Sequence, residues 1–175
     1  TDSSSRKFIY FPFHVRLDYA LTTRSPQYFD QIALVCQVAE ILPDGFELYV
    51  KEHPASVGSF NRQEILPMLA NKKIRMLHPR TSTYDVLDQA QAVLTINSKV
   101  GAEAVAAGKP VIVLGECFYS GSSLVHPASG PAEVQKLLER LAEGKLTAPT
   151  ESERVAFFTK VWNQTTPGEL YDLSV

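Results

Sequence analysis

Two short stretches of the chain carry residue types able to grip an anion. One runs from Asn97 through Ser98, Lys99 and Gly101 to Glu103, and the other is Lys51-Glu52-His53-Pro54. Asn97 and Ser98 are helix-capping types that follow directly on the apolar run Ala92 to Ile96, so a helix is expected to start there. Its first turn, Lys99 to Gly101, would leave backbone N–H groups without intrahelical partners at the positive end of the helix dipole, a main-chain seat for a phosphate. On this reading Gly101 removes a Cβ that would block close approach. Glu103, one turn further on, suits a bidentate acceptor for a ribose diol, its plainer role being a solvated helix-face carboxylate. The Ser98 hydroxyl can cap the helix, hold a phosphate, or do both. The His53 imidazole can bond a carbonyl at a strand end or donate to a phosphate or carboxylate. Lys51 and Glu52 alternate across their strand, so at most one is expected to face a common crevice, and Lys99 either meets the phosphate or stays in solvent.

The elements needed to position these groups are legible along the chain. Lys7 to Phe13 reads as a first strand, limited near its end by Pro12. A loop then crowds His14, Arg16, Asp18 and Tyr19 just past the strand terminus, where an open α/β sheet places its ligand. Ser25-Pro26 is a cap followed by proline at the first helical position, and Phe29, Ile32, Ala33, Cys36, Ala39 and Ile41 recur at helical spacing until Pro43-Asp44-Gly45. Glu47 to Glu52 is the second strand. Asn61 and Glu64 have capping-box spacing, and Pro67 implies a kinked or late-starting helix ending near Asn71. Lys73 to Leu77 is the third strand, Ser82 opens a helix through Gln89, Ala92 to Ile96 is the fourth strand, and Val111 to Leu114 the fifth. The small residues Ala102, Ala104, Ala106 and Ala107 keep the intervening helix thin, and Gly108-Lys109-Pro110 stops it. Pro131 to Glu143 and Ser152 to Gln164 are the last helices, with Val134, Leu137, Leu138 and Leu141 on one face of the former. Val155, Phe158, Val161 and Trp162 are the apolar positions of the latter.

Strands alternating with helices imply a doubly wound parallel sheet, a Rossmann-like α/β domain with right-handed crossovers. The expected strand order is 3-2-1-4-5, which puts the switch point between strands one and four. Three loops should meet there: His14 to Tyr19, Glu52 to Gly58 and Asn97 to Gly101. His-Pro occurs at His53, His78 and His126, and this topology favours His53, whose loop lies next to the crevice, over His78, one strand further out; His126 stays unplaced. The expected division is a disordered segment 1–6, a Rossmann-like domain 7–146, and a C-terminal helix and tail, 147–175, packing on that domain.

Composition narrows the function. With 175 residues, 45% of them hydrophobic, the chain makes one ordinary domain with a two-faced core. A formal charge of −2 gives no basic field for counterion release, so a nucleic-acid partner is not expected. No apolar run reaches the roughly 20 residues of a membrane span, and the polar start has no signal-type apolar region. The start at Thr1 points to a piece of something longer. Cys36 and Cys117 have neither CxxC nor metal-type spacing, so neither a disulfide nor a metal site is expected. There is no G-x-G-x-x-G after the first strand and no Walker motif, which disfavours dinucleotide and P-loop chemistry. A Ser98–His53 hydrolase pair remains an alternative, although G-x-S-x-G is missing.

The ordered blocks FIYFPFHVRLDYAL, LYVKEHP with a nearby VG, and AVLTINSKVGAEAVAAGKPVIVLG followed by a loop with Tyr119 resemble the bacterial capsule polysaccharide biosynthesis family that includes the β-Kdo transferases. The resemblance covers roughly residues 7 to 127. It implies a GT-B glycosyltransferase that uses CMP-activated Kdo, similar to bacterial sialyltransferases in having an HP motif and a Ser-containing motif that hold the CMP phosphate. By position, His53 and Pro54 match the first motif, Asn97 and Ser98 lie where the second belongs, and Glu103 matches the helix carboxylate used on the nucleotide ribose. The first loop departs from the family, which often has a Gln-containing version, and no direct role is assigned to His14.

The reading that results is the carboxyl-terminal, donor-binding half of such an enzyme. It would move Kdo or a related acidic sugar from its CMP form to a capsule or lipopolysaccharide-type glycan. His53 is assigned to leaving-group stabilisation, and His53, Pro54, Asn97, Ser98, Lys99, Gly101, Glu103, Lys51, Asp18 and Tyr119 to donor binding. No cofactor or metal is called for beyond the nucleotide-sugar substrate. The implied partners are a glycan or glycolipid acceptor and an upstream acceptor-binding domain that carries the catalytic carboxylate, with cytoplasmic residence near the inner membrane. The alternatives are a non-catalytic nucleotide-sugar-binding module and a UDP-sugar epimerase of the same fold.

Overall fold

The computed structural model describes residues 6–166 and 168. The expected lead-in therefore lies mostly outside the described residues, as does the end of the tail; Arg6 pairs with Glu47 at 2.8 Å. The strands are β1 (Lys7–Pro12), β2 (Phe46–Lys51), β3 (Ile74–Met76), β4 (Ala92–Thr95), β5 (Val111–Val113) and β6 (His126–Pro127). They form one parallel sheet in the order β3-β2-β1-β4-β5-β6. The expected order is reproduced, with one strand added at the edge. That strand is two residues long and contains a proline, so it has no periodicity to read; it pairs His126 with Ile112 and Pro127 with Val113, and His126 Nε2 meets the Thr147 carbonyl at 2.9 Å.

The helices are α1 (Tyr19–Thr22), α2 (Gln31–Glu40), α3 (Arg62–Ala70), α4 (Thr83–Gln89), α5 (Lys99–Ala106), α6 (Pro131–Ala142) and α7 (Glu151–Asn163). Alternation along β1 divides the core between the two faces of the sheet. Ile9, Phe11 and Phe13 join Val35, Val38, Met68 and Leu138 on one side, while Phe8 and Tyr10 join Val93, Ala104, Val105 and Tyr119 on the other.

Two helix expectations need correction. No helix begins at Ser25: Pro26–Tyr28 is only a 3₁₀ turn and α2 starts at Gln31, capped by Asp30 accepting the Ala33 N–H at 2.9 Å. Ser25 makes no cap bond because its hydroxyl serves Asn97 Nδ2, 3.1 Å away. The buried face of α2 is accordingly Ile32, Leu34, Val35, Val38 and Ala39, while Ala33 is exposed and Phe29 lies outside the helix. In α7, Phe157 and Phe158 pack on the domain and Val155 and Trp162 are left exposed. By contrast, α3 starts directly behind its cap. Asn61 and Glu64 exchange the two capping-box bonds at 2.9 and 3.0 Å, and the helix runs through Pro67 to Ala70. Cys36 and Cys117 are both free thiols.

Candidate functional site

Four loops at the carboxyl ends of β1, β2, β4 and β5 enclose a cleft of about 800 Å³. The expected three meet there, and the segment Cys117-Phe118-Tyr119 closes the fourth side. Of the predicted ligand residues, Asp18, Lys51, His53, Pro54, Asn97, Ser98, Lys99, Glu103 and Tyr119 all line this one space. Gly101 does not. A Cβ on Gly101 would collide with the Tyr119 hydroxyl and stand 2.7 Å from its Cζ, so this glycine admits a buried ring from behind and does not open the helix to a phosphate.

The β4–α5 junction is held from every side. Asn97 is buried. Its Nδ2 donates to the Ala20 carbonyl at 2.8 Å and to Ser25 Oγ at 3.1 Å, and its N–H points to His14 Nε2 at 3.4 Å. The amide donors predicted for a ligand are thus spent on tying α1 and Ser25 to the junction. Ser98 caps α5 by accepting the Val100 N–H at 3.2 Å, its own N–H donates to Thr95 Oγ1 at 3.1 Å, and its carbonyl accepts from the Tyr119 hydroxyl. Gly101 N–H returns to the Ser98 carbonyl at 3.0 Å. What stays free toward the cleft is the Ser98 O–H and, at the first residue of α5, the Lys99 N–H, which has no acceptor among the described residues.

His14 belongs to this scaffold. Burial pulls its pKa down to about 4, with Asp18 opposing the shift and His53 adding to it. It is therefore neutral near pH 7. Because Nε2 accepts from Asn97, the proton sits on Nδ1. Gln31 clamps the same residue, accepting the His14 N–H at 2.8 Å and donating to its carbonyl at 3.3 Å.

His53 is built differently. Preceding Pro54, it is confined to extended backbone, φ −65° and ψ 132°, and its Nδ1 accepts the Ala55 N–H at 3.1 Å at the start of a 3₁₀ turn, Pro54–Ser56. The neutral ring consequently carries its proton on Nε2, an exposed donor on the cleft wall. The carbonyl bond considered from the sequence is not made. Glu52 braces this loop, accepting the Gly58 N–H at 3.1 Å where Gly58 adopts φ +77°.

Lys51 and Glu52 are both buried and both line the cleft, contrary to the one-face rule. β2 ends at Lys51, so alternation no longer binds Glu52. Lys51 Nζ donates to the Thr81 carbonyl at 2.8 Å and Thr83 Oγ1 at 2.7 Å. Burial lowers its pKa, and Glu103 partly offsets this. Glu103 itself is half-buried, and its carboxylate takes part in none of the ion pairs or side-chain hydrogen bonds among the described residues.

Arg16 and Tyr19 leave the group expected at the crevice. Arg16 makes a two-pronged contact with Glu64 at 3.1 and 2.8 Å, its guanidinium 5.9 and 5.7 Å from the Phe29 and Phe60 ring centres, and Tyr19 stands in solvent. Their place is taken by residues that sequence reasoning passed over: Arg24, Tyr10, Thr83 and Phe118 line the cleft. Strand-face alternation puts Tyr10 on the same sheet face as its register partner Tyr49 and as Lys51, two residues further along β2, and could have singled it out. His78 lies in an adjoining groove of about 720 Å³ that shares Lys51, Pro54 and Thr83 with the cleft. Among the described residues no group of three His, Cys, Asp or Glu side chains is arranged to hold a metal ion, and no helix is long and apolar enough to cross a membrane.

Residues 1–150 match the model of the family described as capsule polysaccharide biosynthesis protein. The chain belongs to that family. It is similar to Protein FixF of Sinorhizobium fredii (strain NBRC 101917 / NGR234), 34% identical over 122 residues that make up 67% of this chain and 29% of FixF. Among solved structures it resembles Thermosulfurimonas dismutans KpsC, a β-Kdo 2,7 transferase, with TM-score 0.59 and 26% identity over 77% of this chain and 45% of that one. The same architecture occurs in UDP-GlcNAc 2-epimerase from Neisseria meningitidis bound to UDP-GlcNAc, TM-score 0.57 and 15% identity over 90% and 45% of the two chains. The fold is thus the Rossmann-like α/β unit of GT-B enzymes and these epimerases. The chain spans less than half the length of each of these three relatives.

Proposed function

We propose that this domain is the donor-binding half of a glycosyltransferase that moves Kdo or a related acidic sugar from its CMP form to a growing capsule or lipopolysaccharide-type glycan. The observation that carries the reading is the distribution of unspent groups in the cleft. The Ser98 O–H and the Lys99 N–H are donors at the amino end of α5, His53 Nε2–H is a donor on another wall of the same cleft, and the unpaired Glu103 carboxylate sits one turn further along α5. A nucleoside phosphate has the matching order, an anion followed by a diol.

In this reading the protein's work is on the leaving group. As the bond between the sugar's anomeric carbon and the phosphate oxygen breaks, electron density moves onto CMP, and fixed donors around that oxygen stabilise the charge without reorganising. Glu103 accepts from the ribose hydroxyls and orients the nucleotide. The acceptor hydroxyl attacks the anomeric carbon, and the group that takes its proton belongs to an upstream domain on the far side of the cleft. The lipid-linked character of such acceptors would put the enzyme in the cytoplasm beside the inner membrane.

In the full-length protein, His53→Ala or Ser98→Ala is expected to lower transfer by roughly 10²-fold, the effect of deleting one oxyanion donor. Wild-type turnover in both variants would defeat the assignment. Calorimetry of the chain with CMP, CDP and UDP separates the donor classes. Preference for CMP supports this reading, whereas preference for UDP would move the protein toward the epimerases whose fold it shares.

A further inference from the structure

We propose that the Tyr10 hydroxyl reads a ribose hydroxyl, 2′ or 3′, of the bound nucleotide, making the floor of the cleft selective for nucleotides that carry that hydroxyl. This rests on the donor-site reading above and adds a specificity residue to it. Tyr10 is wholly buried, yet its Oη has no hydrogen-bond partner. Three buried side-chain polar atoms among the described residues share that condition, and two of them, Tyr10 Oη and Asn97 Oδ1, belong to residues that line this cleft.

A buried hydroxyl without a partner costs stability, and phenylalanine would fill nearly the same volume without that cost. The fold offers Tyr10 little: the Thr83 hydroxyl, which accepts from Lys51 Nζ at 2.7 Å, is near enough to act on the phenol, but no well-formed bond joins the two. The partner is therefore to be sought in the cleft.

The surrounding charges narrow its chemistry. Glu103 is near enough for its charge to act on both Tyr10 and Lys51, so a phosphate placed here would face a carboxylate. A sugar hydroxyl meets both neighbours well, donating to Glu103 and accepting from Tyr10. Burial raises the phenol's pKa, which keeps it a donor across the working pH range.

The test is calorimetry of wild type and Tyr10→Phe with CMP, 2′-deoxy-CMP and 3′-deoxy-CMP, alongside thermal melting of the ligand-free chain. Wild type is expected to bind CMP about tenfold more tightly than the analogue lacking the hydroxyl that Tyr10 reads, and Tyr10→Phe to lose about tenfold for CMP and nothing for that analogue, the scale of one neutral hydrogen bond. The ligand-free melting temperature should hold or rise. Undiminished discrimination in Tyr10→Phe would overturn the proposal. So would a lowered ligand-free melting temperature, since the hydroxyl would then have a partner within the fold. Wild type that binds CMP without discriminating either analogue would sink the Tyr10 role and leave the donor site standing. Failure to bind CMP at all would remove both.

Discussion

Two walls of the same cleft are made in opposite ways. At the β4–α5 junction nearly every polar group of Asn97 and Ser98 is engaged by the protein: Ala20, Ser25, His14, Thr95, Val100 and Tyr119 each take or give a bond. Across from it, His53 stands exposed on a loop, its ring fixed by one bond from the Ala55 N–H, its carbonyl accepting the Ser56 N–H at 2.9 Å, and its backbone restrained by the proline that follows it. The locked wall supplies geometry, and the open wall supplies a donor the fold itself does not consume. Residues of a binding motif can thus divide between those that shape the seat and those that touch its occupant, and stability measurements tell the two apart.

The comparison breaks most readily at Asn97. Replacing it with alanine leaves the buried Ala20 carbonyl and Ser25 hydroxyl short of a partner and opens a small void, which is expected to cost about 3 kcal/mol. In a chain of this size that corresponds to a fall in melting temperature of roughly 6–12 °C. His53→Ala, on the exposed wall, should change stability by about 0.5 kcal/mol or less even as it weakens nucleotide binding. If the two variants melted alike, the division between scaffold and ligand contact would be wrong.

A smaller and sharper effect is expected behind the locked wall. Gly101→Ala pushes a methyl into the Tyr119 hydroxyl and ring, an overpacking worth about 2 kcal/mol. Tyr119→Phe alone gives up the bond to the Ser98 carbonyl, about 1 kcal/mol. Removing the hydroxyl also removes the nearest clashing atom, so the double variant should be more stable than the sum of the singles predicts. Chemical denaturation of the four proteins gives the coupling directly. Strict additivity would show that Gly101 is not there to admit Tyr119.

These pairings explain what could and could not be read from the chain. The cap at Ser98, the capping box of Asn61 and Glu64, and the proline after His53 act over one to three residues, and each is found where its sequence places it. The strand order follows from alternating elements and handed crossovers. The errors arise where a local signal is outbid from far away. Ser25 has the form of a helix cap, but Asn97, 72 positions later, takes its hydroxyl, and α2 begins at Gln31. Gly101 has the form of a phosphate-loop glycine, but its neighbour is Tyr119. Lys51 and Glu52 obey alternation only while the strand lasts, and the strand ends between them. Arg16 sits in the right loop and is drawn off by Glu64 and two aromatic rings. In each case the residue type is informative, and the partner is fixed only by the folded chain.

A last expected effect concerns acidity, and it tests the locked wall without changing a contact. His14 is held neutral by burial, its pKa brought from the ordinary 6.5 to about 4, with Asp18 pulling it up and His53, across the cleft, pushing it down. A depressed pKa means that the unfolded chain takes up the proton first, so the stability contributed by neutral His14 is complete above about pH 6.5 and is lost as pH falls toward 4. At pH 5.5 the loss should be about 1.4 kcal/mol relative to neutral pH. In His14→Gln, whose side-chain carbonyl can still accept the Asn97 N–H, the slope between pH 6.5 and 4.5 should flatten by about one proton, whereas His53→Ala should retain a slope there. Urea denaturation at half-unit pH steps reads both. A wild-type profile that stays flat through this window would mean that the His14 ring is protonated in the folded chain, and the Asn97 N–H would then lack the acceptor that anchors the junction.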